Sequence, residues 1–442
     1  MADHLPTLEL WGGVECTVNR VQDTFFDQLE RSGHRKRSAA DLELFASLGL
    51  RTLRTALHWE TFTTTQSWSS WDALFVAMKR LSLRPIVGLV HHGSGPTSTN
   101  LLDPEFPQKL AAYALQVAQR YPEVLDYTPV NEPQTTGRFS CLYGVWYPHH
   151  QSMQSYLRAL YNQIKGIALS MQAIRTVQPK ARLIHTEDGG ETFSTPELEA
   201  YRVNREHRRW LGVDLLCGLV TREHPLFSFL LGNGLSENEI LWFAANPCPP
   251  SILGLNYYVT SDRFLDHRLE LYPSREGGDT GDEPLIDIEA VRVRAEGIGG
   301  VGSVLRQAWE RYRLPLAITE AHLGSEPQEQ TRWLAEVWRE AQAVQVDGVD
   351  IRAVTVWSLL GAFNWCHLCA RDSDDYESGV YSLQDGKPEA TPLAELVRCI
   401  SQGRSVEPWL RQGGWWRRED RVTIPPPVVG VSTSESRKLS TV

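Results

Sequence analysis

The 442-residue sequence has little that would mark a secreted, membrane-spanning or nucleic-acid-binding protein. Its seven cysteines are odd in number and scattered, which speaks against a disulfide framework and fits reduced thiols in the cytoplasm. No uncharged apolar run reaches the length of a bilayer span. The opening stretch MADHLPTLEL has no charged region followed by an apolar one, so no secretory leader is read there. Basic residues form no block long enough for a nucleic-acid patch, and the formal net charge is −10. No His-x-His closes the first strand, as a metallohydrolase barrel would require. There is no glycine-rich phosphate loop before a helix and no Gly-x-Ser-x-Gly elbow. What remains is ordinary for a globular chain, with 42% apolar and 22% charged residues. The 15 tryptophans suit sugar stacking or simply a large core.

Apolar runs and helical periodicities alternate along the chain. Runs at 8–13, 50–57, 85–91, 125–133, 181–186, 251–258, 314–320 and 351–357 read as strands. Helical patterns fall at 37–48, 71–83, 103–121, 152–177, within 195–249, and at 300–312, 327–344 and 390–402. Gly49 sits where a helix C-cap glycine is expected, and Pro327 occupies a first helical position, where its missing N–H costs nothing. Eight short strands without clean alternation, each followed by a helix, predict an α/β fold, a (β/α)₈ TIM barrel. We expect a single domain over 1–420 with long βα loops, including one over 262–300, and a Pro/Ser/Thr-rich disordered tail over 421–442.

Two of these runs end in a glutamate. LDYTPVNEP (125–133) stops at Asn131, Glu132 and Pro133, and LPLAITE (314–320) stops at Glu320. In a parallel barrel the C-terminal strand ends form the working face. Strands four and seven lie on opposite sides of the barrel, so the two carboxyls would meet across one mouth. Hydrolysis of a glycosidic bond asks for such a pair: an acid for the leaving oxygen and a carboxylate to attack or to activate water. Either glutamate alone would pass for an ordinary loop-edge residue. Trp59 reads equally well as core or pocket lining, and Glu187 with Asp188 closes strand five beside the expected mouth.

The motifs together resemble those of family 1 glycoside hydrolases, the β-glucosidase family of retaining (β/α)₈ enzymes. VNEP (130–133) is similar to that family's acid/base motif and ITE (318–320) to its nucleophile motif. RTALHW (54–59), LVHH (89–92), LGLNYY (253–258) and VWSLLGAFNW (356–365) resemble the motifs of strands two, three, six and eight. RRWLGVDLLCGLVTREHP (208–225) resembles a family helix. The resemblance runs from about Leu10 to Tyr381, one motif per expected strand. It implies a retaining hydrolase of β-glycosides with catalytic Glu132 and Glu320, needing no cofactor or metal. It also implies a sugar site built from Asn19, Arg54, His91, Asn131, Asn256, Tyr258, Trp357, Asn364 and Trp365. Arg54 would stand beside the nucleophile and hold it ionised. Tyr258 would touch the nucleophile, and Trp357 would lie under the sugar.

Departures from the family pattern fall on the sugar subsite. Asn19 stands for a glutamine, His92 for a tryptophan, Ala321-His322 for Asn-Gly, and Asn364 for a sugar-gripping glutamate. An amide prefers different partners from a carboxylate. The alternatives are a carbohydrate-binding or sensor barrel of weak activity, and a transglycosylase using the same two glutamates. The Cys366-x-x-Cys369 pair, without a second such pair, is a weak metal signal. The expected partner is a small glycoside, with no nucleic acid or membrane.

Overall fold

The computed structural model describes residues 7–272, 285–383 and 386–423. Eight parallel strands close into a barrel: β1 (Glu9–Gly13), β2 (Thr52–Ala56), β3 (Arg84–His91), β4 (Asp126–Asn131), β5 (Arg182–Asp188), β6 (Ile252–Asn256), β7 (Leu316–Ala321) and β8 (Ile351–Val356). Neighbours follow chain order, and β1 pairs with both β2 and β8 to seal the cylinder. Helices α1 (His34–Ser47), α2 (Ser69–Arg80), α3 (Phe106–Arg120), α4 (Met153–Val177), α5 (Glu199–Leu216), α6 (Gly300–Tyr312), α7 (Pro327–Val346) and α8 (Pro392–Ser401) return the chain between strands. This is the expected (β/α)₈ order. Trp11, Ile86, Ile184, Ile252, Ala317 and Ala353 plug the inside of the barrel, away from its C-terminal mouth. A far larger apolar cluster lies between strands and helices, so both strand faces are buried and the strands show no alternation.

Local chemistry sets the helix ends. Ser152 caps α4 by accepting from the Ser155 N–H. Gly49, at φ +89°, turns the chain just past α1, and Pro327 opens α7. The described helices include none long and apolar enough to cross a membrane.

The expected loop over 262–300 is corrected by the structure. Its described parts supply strands Arg263–Asp266 and Ile286–Glu289, which join Thr192–Ser194 in a small three-stranded sheet beside the barrel mouth. Phe264, Ile286 and Ile288 give that sheet its own apolar core, an alternation hidden among acidic and glycine residues. The tail beyond residue 423 lies outside the described residues. Arg421 is buried and donates to the carbonyls of Arg294 and Ala295, anchoring the end of the described chain.

The two glutamate-bearing strands share one irregularity. Between Tyr127 and Asn131, β4 carries one residue more than β5, which pairs Leu183 and Thr186 opposite them. Pro129 sits inside that bulge, where its missing N–H leaves no ladder bond broken. Strand β7 likewise spends two residues, Ile318 to Glu320, against one step of β6, Leu255 to Asn256. An extra residue bends a strand and re-aims the side chains beyond it. Here those side chains belong to Asn131-Glu132 and Thr319-Glu320.

Candidate active site

Glu320 is 2% exposed and takes two donors. Arg54 Nη1 gives a hydrogen bond of 2.9 Å to its Oε1, and the Tyr258 hydroxyl gives a short one to Oε2. The same guanidinium holds Thr319 O at 2.6 Å and, through Nη2, Asn131 Oδ1 at 2.7 Å. Arg54 also lies 4.9 Å from the Trp357 ring centre. One buried arginine thus ties strand two to strands four and seven. Burial, with the charge of Glu320, pushes the Tyr258 hydroxyl well up, so it stays a donor.

Glu132 is 5% exposed and held differently. It stands at φ +42° where β4 breaks into the short helix Pro133–Gly137. The Asn256 amide donates to its Oε1 at 2.5 Å, and Asn256 Oδ1 in turn accepts from Thr319 at 2.7 Å. His92 Nε2 lies 3.9 Å from Oε2. Burial first, then the charges of Glu320, Asp188 and Glu187, pushes the Glu132 carboxyl well above the usual range. Glu320 differs from expectation here. Arg54 and Tyr258 pull its pKa down, but burial outweighs them and the net direction is up. The cation offsets desolvation without reversing it.

Asn131 links the two carboxyl networks. Its Oδ1 accepts from Arg54 and, at 2.8 Å, from Thr186, so its NH₂ group faces His91 Nε2 at 3.2 Å. That network assigns the imidazole proton to Nδ1, which faces Cys16 Sγ at 3.3 Å. His91 stacks on Trp357 with centroids 5.6 Å apart, and burial keeps the ring neutral. Trp357 donates to Glu15 Oε2 at 3.1 Å. Glu15 and Cys16 escaped the sequence reading, although both come two or three residues after the first strand end.

The remaining expected sugar-site residues lie on the rim of the mouth. Asn19 is fully buried and donates to Cys369 O at 3.0 Å, while its Oδ1 has no protein partner. Asn364, at φ +59°, turns its Oδ1 to the Ser373 N–H and hydroxyl and its amide to Asp372, folding its own loop closed. Trp365 packs edge-on against His92 and Trp146, and its buried Nε1 has no partner. His92 therefore belongs to the site, because it touches both this aromatic cluster and Glu132. Trp59 packs with Phe106 and Tyr113 in the core.

Cys366, His367 and Asp375 bring one ligand atom each within 4.8 Å of one another. Cys369 is not among them, because its thiol turns inward to Gln28 and Phe363 O. Arg371 already donates to the His367 ring, so a cation would compete with a guanidinium.

Beside Glu132 lies a small open cleft, lined in part by Gln134, Arg138, Glu187 and Asp188. Neither Glu132 nor Glu320 lines it, and both are nearly closed to solvent.

The chain is thus a closed eight-stranded parallel barrel with two buried glutamates at the ends of strands four and seven. No family model matches the chain. Its structure is similar to those of family 1 β-glucosidases from Thermotoga maritima. The β-glucosidase solved with deoxynojirimycin superposes with a TM-score of 0.72 at 17% identity, covering 90% of this chain and 99% of that one. The structure with isofagomine lactam gives 0.68 at 18% identity, with 84% and 87% covered. That with a cyclophellitol-analogue transition-state mimic gives 0.71 at 17%, with 90% and 98% covered. At these identities the likeness establishes the fold.

Proposed function

We propose that the protein hydrolyses β-glycosidic bonds with retention, through a covalent glycosyl-enzyme. The observation that supports this best is the unequal furnishing of two buried carboxyls on facing strand ends, one with a cation and a phenol, the other with a single amide. Glu320 attacks the anomeric carbon while Arg54 and Tyr258 steady its charge. Glu132 carries the proton. Because Oε1 accepts from Asn256, that proton resides on Oε2, which passes it to the leaving oxygen and later takes one from water. Two carboxyls in different environments divide acid from nucleophile. The seven free cysteines support a cytoplasmic setting.

Labelling with a panel of 2-deoxy-2-fluoro glycosides, followed by peptide mapping, tests the assignment. Label on Glu320 is expected and would also name the glycone. Label on another residue overturns it. A second reading, a sugar-binding barrel of little turnover, is favoured by the sealed carboxyls and by Asn364 turned into its own loop. Sugar binding without turnover of any activated aryl glycoside would establish that reading instead.

A further inference from the structure

The cleft beside Glu132 is built from guanidiniums. Arg138, Arg205, Arg208, Arg209 and Arg263 all line it, in a chain whose overall charge is −10. Several are anchored from behind. Arg205 and Arg263 share one carboxylate, Asp287, each at 2.7 Å. Arg209 is held by Glu206, Gln307 and Gly189 O. Such anchoring fixes where the forks stand without filling the cleft.

Arg138 differs. It donates to Thr135 at 3.2 Å and faces Asp188 at 3.5 Å, beyond a good ion-pair hydrogen bond, and its side chain is 35% exposed. A guanidinium has five donors, and this one lines the cleft. The neighbouring Glu187 does not neutralise it, since burial pushes that carboxyl up to about 8 and leaves it protonated at neutral pH. Its Oε1 accepts nothing. A half-buried cluster of fixed cations focuses an attractive field on anions, and the guanidinium fork matches a planar or tetrahedral oxyanion.

Position says which half of a substrate would bring that anion. Gln134 lines the cleft two residues after Glu132, and its N–H meets Glu187. In the double displacement proposed above, on which this inference rests, the acid protonates the leaving oxygen. The space on the acid's side therefore receives the leaving group. We propose that the cleft binds an oxyanion, such as a carboxylate, sulfate or phosphate, carried by the leaving half of the glycoside.

The test compares a 4-(carboxymethyl)phenyl β-glycoside with its methyl ester, for each sugar of a panel. The methylene insulates the phenol, so the two leaving groups react alike. The charged substrate is expected to show a kcat/KM at least tenfold higher at low salt, most of it in KM. Sodium chloride should erode that ratio, because exposed charge attraction is screened. Arg138→Gln should bring the ratio toward one, and Arg138→Lys should recover part of it. Equal kcat/KM for both substrates, or a ratio indifferent to salt and to Arg138→Gln, overturns the proposal. The salt series on the unaltered protein decides the matter if the variants fail to fold. If neither glycoside is hydrolysed, the function proposed above fails on its own. Calorimetry with (4-hydroxyphenyl)acetate against its methyl ester then judges the cleft. Selective, Arg138-dependent binding of the acid supports it, and equal or absent binding refutes it.

Discussion

Glu320 shares its wall of the barrel with a cation and a phenol, whereas Glu132 shares its wall with two more carboxyls and a neutral imidazole. Both walls are equally dry, so burial alone cannot assign their roles. The neighbours do. On strand seven, each donor favours the charged form and offsets the desolvation cost. Around Glu132, the charges of Glu320 and Asp188 add to that cost and push its carboxyl further up. The same bulged-strand device thus delivers two glutamates into one mouth with different hydrogen-bond partners.

Substitution on either wall puts that contrast at risk. On the proposed mechanism, Glu320→Gly should reduce turnover at least ~10⁴-fold, because the glycosyl-enzyme forms on that carboxylate. Added azide should partly restore reaction and yield the product of inverted configuration. Residual activity within tenfold of the unaltered protein would remove Glu320 from its role. Glu132→Ala should cost about 10²–10⁴-fold with a poor leaving group but far less with dinitrophenolate, which needs no proton. Equal losses with both would deny Glu132 the acid's part. Tyr258→Phe should cost on the order of 10²-fold, the scale of one preorganised donor. Because that donor lowers the Glu320 pKa, its loss should also move the acid limit of kcat/KM to higher pH.

The wall of Glu132 also makes a prediction about stability. Burial pushes Glu187 to about 8 and Glu60 to about 7, so each binds a proton in the folded state that the unfolded chain has released. The buried His58, His92 and His185 are held down to about 4, 3 and 3, and above their unfolded value they are neutral in both states. Well above the unfolded histidine value, from about pH 7.5 to 8, the carboxyls therefore dominate and stability falls, by up to about 1.4 kcal/mol per pH unit for each proton. Thermal unfolding across that range checks the sign, and Glu187→Gln should flatten the slope. The smallest effect is expected on the rim. Asn364→Ala should change KM less than about threefold while costing ~1 kcal/mol of stability, since the side chain serves its own loop. A large rise in KM would return Asn364 to the sugar.

Much of this was legible in residue order. The alternation of apolar runs and helical periods marked all eight strands, and two runs ending in glutamate marked the pair. Pro129 inside a central strand was a readable sign of a bulge, since proline donates to no ladder. Other features had no local signature. Glu15 and Cys16 look like any polar residues after a strand until the fold sets them against Trp357 and His91. His92 stood out only as a departure from a motif. The small sheet at 263–289 was obscured because its two apolar residues per strand lie among charges and glycines.

Residue order was enough to set the barrel and the strand ends on which the two carboxyls stand, because both arise from short-range pattern. It took the folded chain to set which donors each carboxyl meets, which way Asn364 turns, and that arginines from helix and sheet segments gather beside Glu187 and Asp188. Those outcomes depend on burial and on charges brought together from positions far apart in the chain. Electrostatic energy is set by distance and by the exclusion of water, and neither is written in the order of the residues.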